Sequence, residues 1–234
     1  MIPNSDFHRH PPALHRASEV NPYTRWIHEH PAVLLAAPTP PALREKMEAS
    51  PAASGPLVLD LGCGSGNFLL QMASLLPRRR FVGFELRYKR LVKAARKIEK
   101  AKLKNVWLLR EAAERFALYC APASLAEVHV NFPDPWPKRR DWTKRLVSVP
   151  FLQELERTLQ HGGLVHLRTD HSGYFLHVLS LLKQVDRLRP RICCNDDLRR
   201  RIPGSNVRSE FEQMFSCQQK PIFYLVLENS RPTR

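Results

Sequence analysis

The sequence predicts an α/β fold with a mostly parallel sheet and helices on both faces, on two observations. From Leu57 onward, short apolar runs alternate with longer amphipathic stretches, the pattern of strands joined by crossover helices. A cluster of glycines directly follows the first apolar run. The predicted strands lie near 57–61, 81–84, 106–109, 127–131, 163–168 and 222–227. The predicted helices lie near 66–76, 87–102, 147–160 and 172–184.

Composition places the chain among globular proteins. Of its 234 residues, 43% are hydrophobic and 25% are charged, which argues against wholesale disorder and a coiled coil. No apolar run approaches the roughly 18 residues that a membrane span needs, and the first residues lack the apolar region of a secretory signal. The five cysteines form no C-x-x-C pair, so we expect a cytoplasmic protein with no disulfide framework and no metal site.

Residues 1–56 differ from the rest of the chain, and we expect them to form a partly irregular N-terminal arm ahead of a domain at 57–234. Ten of the twenty prolines and five of the ten histidines fall within this arm. Prolines at this density interrupt long helices, so we expect no long helix in the arm and one short helix between Tyr23 and Leu35. The histidines have no fixed ligand spacing, which gives no reason to place a metal there.

Three of the nine glycines stand together after the first predicted strand, at Gly62, Gly64 and Gly66. Glycines at this spacing let the chain turn sharply and let a ligand lie against bare main chain at the start of a helix. Asp60 precedes this glycine loop. Glu85 follows the second predicted strand, where doubly wound folds bind ribose hydroxyls. The pattern predicts a nucleotide-type cofactor, with a purely structural turn as the alternative.

Two other nucleotide-binding loops fit less well. A dinucleotide loop would have glycine at position 67, where the chain has Asn67, and no Gly-Lys-Ser/Thr follows for a Walker loop. Glu111, after the third predicted strand, is a candidate neighbour of an adenine. The alternative is that Glu111 is a surface residue at the N-terminus of a helix.

The most distinctive segment runs from Asn131 to Lys138, with the sequence Asn-Phe-Pro-Asp-Pro-Trp-Pro-Lys. Three prolines in five residues can neither continue a strand nor start an ordinary helix, so they fix an extended turn. Loops at the carboxyl ends of parallel strands are where this architecture binds ligands. We therefore expect this proline-framed loop to hold Asp134 at the active centre; a rigid surface turn is the alternative.

Five segments, in chain order, resemble the bacterial tRNA (guanine-N7-)-methyltransferase family. They are the first strand with its glycine loop, Phe84-Glu85, the stretch from Asn131 to Lys138, Thr169-Asp170, and Ser209-Glu210-Phe211-Glu212. The resemblance covers roughly Leu57 to Leu227, and the proline-framed loop is its most specific part. It implies the class I S-adenosyl-L-methionine (AdoMet)-dependent methyltransferase fold, which is Rossmann-like and has a C-terminal antiparallel strand.

The resemblance implies methyl transfer from AdoMet to N7 of a guanosine in tRNA, in the variable loop at tRNA position 46. Asp134 is the implied catalytic residue. The implied AdoMet contacts are Asp60, Gly62, Gly64, Gly66, Glu85, Glu111 and Asp134. The implied substrate contacts are Lys138, Asp170, Ser209 and Glu212.

Three positions depart from the family pattern. The family usually has Glu where Asp60 stands and Asp where Glu111 stands, and both exchanges keep the charge. At Glu210 an acid replaces the family's lysine. The role of position 210 is therefore open.

The chemistry of the implied reaction needs positioning more than proton transfer. Guanine N7 carries an in-plane lone pair and no proton at neutral pH, so its attack on a methyl group requires no general base. Alignment of two bound reactants can supply roughly 7–11 kcal/mol of barrier lowering. Asp134 then has two possible roles: to accept hydrogen bonds from guanine N1–H and N2–H, or to stabilise the positive charge that grows on the purine.

The net charge of +15 and the pI near 10.1 favour a polyanionic partner, with nucleic acid ahead of a membrane. Nine Lys or Arg and one acid lie between Arg87 and Lys104, which predicts a helix with an outward cationic stripe. The stripe consists of Lys89, Lys93, Arg96, Lys97 and Lys100. A second basic cluster beside the proline-framed loop favours phosphate contacts: Lys138, Arg139, Arg140, Lys144 and Arg145. Residues 78–80 and 199–201 are weaker candidates, and a merely solvated charged face is the alternative.

Three other functions stay open on the sequence alone. A methyltransferase of another RNA would share everything except the stretch from Asn131 to Lys138. A nicotinamide-dependent oxidoreductase would need the missing third glycine of its loop. A non-catalytic RNA-binding adaptor would keep the basic surface, and Glu210 is the feature that points to it. We expect a monomer or a homodimer.

Overall fold

The computed structural model describes residues 22–52, 54–195 and 207–230. In these ranges, eight strands form one sheet in the order β1-β4-β3-β2-β5-β6-β8-β7. The strands are β1 (Leu34–Leu35), β2 (Leu57–Leu61), β3 (Arg80–Phe84), β4 (Val106–Leu109), β5 (Leu125–Asn131), β6 (Leu159–Thr169), β7 (Leu188–Asn195) and β8 (Phe223–Asn229). The α-helices are α1 (Pro22–Trp26), α2 (Pro40–Glu48), α3 (Asn67–Leu75), α4 (Tyr88–Lys100), α5 (Val149–Thr158), α6 (Ser172–Leu181) and α7 (Glu210–Cys217). Short 3-10 helices cover Ile27–Glu29, Ala113–Tyr119, Arg139–Lys144 and Leu182–Gln184.

The sheet is parallel from β1 to β6, and β8 runs antiparallel to both of its neighbours, β6 and β7. The chain builds outward from β2 through β3 to β4, then returns to place β5 on the other side of β2. Ligands of such sheets bind at the carboxyl ends of the strands where the order reverses. That position lies between β2 and β5.

Helices cover both faces of the sheet, as predicted. On one face α3 and α4 pack on the sheet through Phe68, Leu91 and Ile98. On the other face α2, α5 and α6 pack on it through Leu43, Phe151 and Tyr174, among other residues. No helix in the described ranges is both long and apolar enough to span a membrane.

The six predicted strands and the four predicted helices are confirmed, with ends shifted by a few residues. Strand β7 was not predicted, because Arg189 and Pro190 interrupt its apolar pattern. Pro190 is accommodated at a register shift on an edge strand, where a missing N–H is tolerated. Helix α7 was also missed, although Ser209 and Glu212 match the S-x-x-E capping signature. The Ser209 hydroxyl accepts a hydrogen bond from the Glu212 N–H at 3.1 Å.

The described part of the arm packs against the domain. Strand β1 pairs with β4 and extends the sheet at its edge. Helix α2 begins with Pro40 as its first residue, because Thr39 caps it and proline is tolerated in a first turn. The Arg96 guanidinium lies 4.8 Å from the ring centre of Trp26. The arm boundary at residue 56 stays a prediction, and residues 1–21 lie outside the described ranges.

Candidate active site

The glycine loop adopts a conformation that glycine favours. Gly62, Gly64 and Gly66 have φ values of 83°, 57° and 78°, in the left-handed region that side chains disfavour. The backbone N–H groups of Gly62 and Cys63 both donate to the Phe84 carbonyl at 2.9 Å, which joins the loop to the end of β3. A methyl group at Gly66 would lie 2.8 Å from Ala94 of α4. At Gly62 it would meet nothing within 4 Å, so this part of the loop faces open space.

Asp60, in β2, is the most deeply buried of the predicted cofactor-binding acids, with 1% of its surface exposed. Its Oδ1 accepts a hydrogen bond of 3.2 Å from the side-chain amide of Asn131, the last residue of β5. Burial raises the pKa of Asp60 to about 7, although Asn131 and Arg168 act to lower it. A buried carboxyl group of this kind is suited to a neighbouring cation, whose charge favours the ionised form.

Asn131 and Arg168 connect this acid to helix α7. The Arg168 Nη1 donates to Asn131 Oδ1 at 2.7 Å, and its Nε lies 3.8 Å from Glu212 Oε2. The Tyr224 hydroxyl donates to Glu212 Oε1 at 2.7 Å. The predicted substrate contact Glu212 therefore has its carboxylate in the interior, where it orders Arg168. Sequence reasoning missed Arg168 because nothing in its strand marks it out from a surface arginine.

Glu85 and Glu111 stand at the ends of β3 and β4, each held by its own segment. Glu85 is largely buried; it accepts from the Arg87 N–H at 2.9 Å and lies 3.8 Å from Arg90. Glu111 accepts from the N–H of Ala112 at 2.9 Å and lies 2.9 Å from the hydroxyl of Tyr119. Both acids therefore have fixed orientations before any ligand arrives.

The proline-framed loop leaves the end of β5 with two residues in the left-handed region, Phe132 at φ 52° and Trp136 at φ 41°. Asp134 lies between them and is exposed. Arg145 bonds the backbone of this loop: its Nε donates to the Pro135 carbonyl at 2.9 Å. Only 5% of Arg145 is exposed, so the expectation that it contacts phosphate is wrong. Its burial also lowers the pKa of its guanidinium.

Helix α7 closes one side of a small cavity of about 40 Å³ beside the glycine loop. The residues that line it come from the glycine loop, from β2 and β5, from α4, and from the starts of α3 and α7; among them are Asp60, Gly62, Gly64, Asn131, Ser209 and Glu210. This volume is well below the roughly 300–1,000 Å³ that is typical of ligand pockets, so the cavity is a narrow cleft next to the loop. The structure thus brings the glycine loop, Asp60 and Ser209 together. Glu85, Glu111, Asp134, Lys138 and Asp170 do not line this cavity.

The predicted cationic stripe of α4 is divided between three environments. Lys93 and Lys100 are exposed. Lys89 and Arg96 lie over aromatic rings of α1, at 5.7 and 4.8 Å from the ring centres. Lys97 is partly exposed and its Nζ turns to the glycine loop, where it donates to the Ser65 carbonyl at 3.1 Å. Residues 199–201 lie outside the described ranges.

A buried group beneath the site has the composition of a metal centre. Ligand atoms of Glu127, His129 and His166 all lie within 4.8 Å of one another. The two imidazoles stack with centres 4.6 Å apart and planes at 15°, so their nitrogen lone pairs run side by side and do not converge. Arg79 already bonds the carboxylate of Glu127. Burial lowers the pKa of both histidines. The group is better described as a neutral histidine stack beside an ion pair, and the predicted absence of a metal stays a prediction.

Known proteins resemble this chain over most of its length. A family described as putative methyltransferase matches residues 54–225. A tRNA (guanine-N(7)-)-methyltransferase of Syntrophotalea carbinolica is 38% identical over 162 residues, 66% of this chain and 70% of that protein. That of Bacillus subtilis is 31% identical over 173 residues, 74% of this chain and 80% of that protein. The chain belongs to the tRNA (guanine-N(7)-)-methyltransferase family.

Three further comparisons bear on the length and the fold of this methyltransferase. It is 35% identical over 162 residues to a bifunctional glycosyltransferase/methyltransferase of Fusobacterium nucleatum, 69% of this chain, but spans only 25% of that protein. A solved antibiotic-related methyltransferase superposes with a TM-score of 0.62 at 17% identity, covering 83% of this chain and 96% of that one. The 16S rRNA methyltransferase KamB superposes with a TM-score of 0.59 at 14% identity, covering 81% and 93%. These likenesses confirm the class I methyltransferase fold.

The fold and the family imply AdoMet as the methyl donor, and the residues present fit it. AdoMet carries a positive charge, and the buried carboxyl group of Asp60 lies on the wall of the cavity. The open space at Gly62 leaves room for a ligand against the main chain. The donor set therefore agrees with the methyltransferase assignment.

Proposed function

We propose that this methyltransferase transfers a methyl group from AdoMet to N7 of a guanosine in tRNA, in the variable loop at tRNA position 46. One observation carries the proposal. The 3.2 Å hydrogen bond between Asp60 and Asn131 joins the cofactor side of the cleft to the first residue of the proline-framed loop that bears Asp134. The tRNA substrate of the relatives supports the choice of nucleic acid.

We assign the cofactor contacts to the residues around the glycine loop: Asp60, Gly62, Gly64, Gly66, Glu85 and Glu111. AdoMet supplies an electrophilic methyl group on a positively charged sulfur. Asp60 would balance that positive charge, and the loop would place bare main chain against the ligand. Glu85 would accept hydrogen bonds from the ribose, and Glu111 would lie at the adenine end.

Asp134 is assigned to the catalytic role, with a contact to AdoMet as well. Its exposed carboxylate would accept hydrogen bonds from the guanine edge and stabilise the positive charge that grows on the purine. Lys138 and Asp170 are assigned to tRNA. For Ser209 and Glu212 we propose an indirect part, because one caps α7 and the other orders Arg168.

The chemistry as proposed needs one chain, in a monomer or a homodimer, and no metal. N7 attacks with its own lone pair, so no residue has to remove a proton first. We place the reaction in the cytoplasm, where unmodified tRNA is available. The neutral histidine stack takes no part in it.

Labelled methyl transfer tests the proposal. The protein is incubated with labelled AdoMet and unmodified tRNA transcripts, and methylated guanosine is located by borohydride reduction and aniline strand cleavage. We expect cleavage at one guanosine of the variable loop. A matched transcript with 7-deazaguanosine there, which has a carbon in place of N7, should accept no label. Label in the deaza transcript, or no transfer at all, would overturn the proposal.

A further inference from the structure

Glu210, the first residue of α7, reaches across the cleft to the glycine loop. Its Oε1 accepts hydrogen bonds from the hydroxyl of Ser65 and from the side-chain amide of Asn67, the latter at 2.5 Å. Ser65 lies within the glycine loop, and Asn67 is the first residue of α3. One carboxylate oxygen therefore ties helix α7 to the loop on which the cofactor would rest.

Lys97 of α4 completes this contact from the other side. Its Nζ donates to the Ser65 carbonyl at 3.1 Å and to the Asn67 side-chain oxygen. The same Nζ lies 3.7 Å from Glu210 Oε1. Asn67 thus donates to the acid with its nitrogen and accepts from the base with its oxygen, which fixes its amide orientation.

These contacts hold the outer side of the glycine loop, whereas its other contacts hold the inner side. Its backbone is held on the inner side by the Phe84 carbonyl and by close packing against Ala94. Three glycines in five residues carry a large conformational entropy, so a loop anchored on one side would remain mobile. Glu210 and Lys97 hold its outer side, and a second link joins Gln71 to the Arg208 carbonyl at 3.3 Å.

We propose that Glu210 is a positioning residue of the cofactor site, which together with Lys97 clamps the glycine loop in its ligand-binding form and strengthens AdoMet binding. The inference rests on the proposed use of AdoMet. It also gives position 210 a role, because a lysine there would face Lys97 across the same gap and repel it. Both side chains are partly exposed, so the clamp weakens with rising ionic strength.

A charge swap tests the clamp against a merely structural role. Glu210→Lys and Lys97→Glu each place like charges together, and we expect either to raise the dissociation constant of AdoMet about 3- to 10-fold. The double variant restores opposite charges. The Ser65 hydroxyl and the Asn67 amide both donate and accept, so they can bond the exchanged pair, but the Ser65 carbonyl cannot donate to a carboxylate at position 97. Affinity should therefore recover in part, to a dissociation constant at least about twofold below that of either single variant. Glu48→Lys, an equal charge change on the exposed face of α2, serves as the control.

Two readouts separate this inference from the proposed function. Equilibrium binding of labelled AdoMet measures the dissociation constant, and amide hydrogen exchange of residues 62–67 without cofactor measures the loop itself. We expect faster exchange in both single variants, and slower exchange in the double variant than in either of them. Wild-type protein that binds no AdoMet would refute the proposed function, and the exchange rates would still judge the clamp. Unchanged exchange in Glu210→Lys, or a double variant no better than the single ones, would overturn the clamp.

Discussion

Two aspartates at the carboxyl ends of neighbouring strands have opposite environments. Asp60, in β2, has 1% of its surface exposed and a hydrogen bond to Asn131. Asp134, three residues beyond the end of β5, is exposed on a loop. In the proposed assignment, Asp60 belongs to the cofactor wall of the cleft, with the glycine loop, and Asp134 belongs to the substrate wall, which is the proline-framed loop. In that assignment, the cofactor wall is built into the core, and the substrate wall is a surface loop made rigid.

The two walls are made rigid by different means. The cofactor wall relies on burial, glycine geometry and the chain of contacts from Asp60 through Asn131 to Arg168. The substrate wall relies on prolines, which restrict its backbone, and on Arg145, which bonds its carbonyls. A large rigid tRNA needs an exposed acid, whereas a small cationic cofactor can be bound by a buried one.

The largest effect should come from the exposed aspartate. Asp134→Ala should lower methyl transfer to tRNA by at least about 100-fold, because a preorganised charge at the reacting base is lost. AdoMet binding should remain measurable, since the cofactor wall is intact. Turnover with tRNA and equilibrium AdoMet binding are the two measurements. Near-wild-type turnover would mean that Asp134 is not catalytic. The contrast between Asp60 and Asp134 would then not reflect a division between cofactor and substrate.

The arginine beneath the loop should have the next largest effect. Arg145→Met leaves the Pro135 and Trp136 carbonyls without their donor, and we expect about 1 to 3 kcal/mol less stability. Activity should fall about 10- to 100-fold, because the loop no longer fixes Asp134. Thermal unfolding and kcat/KM measure both. The control is Arg44→Met, on the exposed face of α2 and outside both basic clusters; equal losses in the two variants would contradict the positioning role.

Asp60 should give the cofactor wall a pH dependence that Asp134 does not share. Burial raises the pKa of Asp60 to about 7, and a bound cation favours its ionised form. AdoMet affinity should therefore rise by about tenfold between pH 6 and pH 8, as the ionised fraction grows. Asp60→Asn should bind weakly and with a flat profile. Isothermal titration across this range is the measurement, and a flat wild-type profile would separate Asp60 from the cofactor.

Ionisation of Asp60 should strengthen AdoMet binding, but it should lower the stability of the folded protein. The unfolded pKa of 3.8 lies below the folded value of about 7, so the folded protein binds more protons between these pH values. The free energy of unfolding therefore falls as pH rises through this window. Asp60→Asn removes that fall and should be about 1 to 3 kcal/mol more stable than the wild type at pH 8. Urea unfolding should show no such gain at pH 4; a gain there would point to a cause other than ionisation.

The smallest effect should come from the exposed lysines of α4. If the protein neutralises about five phosphates of the tRNA, log affinity should fall with log salt at a slope of about −3.5 to −4.5. Lys93→Glu with Lys100→Glu should flatten this slope by about 0.7 to 0.9 per lost phosphate contact. Lys97 is left intact because it bonds the glycine loop. Filter binding at several salt concentrations gives the slope, and an unchanged value would mean that this face is only a solvated surface.

The fold was predictable because its signals are local. Each core strand is a short apolar run, and each crossover helix has an amphipathic pattern that the sequence shows directly. Strand β7 was not predicted, because Pro190 and the arginines around it give this edge strand the composition of a loop. Helix α7 had a usable signal in Ser209 and Glu212, whose spacing fits a capping box.

The sequence predicted where the site residues lie better than it predicted which groups their side chains contact. The carboxyl ends of β2, β3, β4 and β5 indicated where Asp60, Glu85, Glu111 and Asp134 would lie. The sequence could not show that Arg145 turns inward, because a charged residue next to four exposed ones has the composition of a phosphate-binding cluster. The contact of Glu210 with Ser65 joins residues 145 positions apart, and no local pattern predicts it.

One structure would test the central claim that both walls face a single crevice. The protein would be crystallised with S-adenosyl-L-homocysteine, the product of the proposed transfer. We expect the sulfur to lie between the glycine loop and the proline-framed loop, on the side of the sheet edge that presents Asp134. A sulfur that faces away from Asp134, with the sheet between them, would contradict the account.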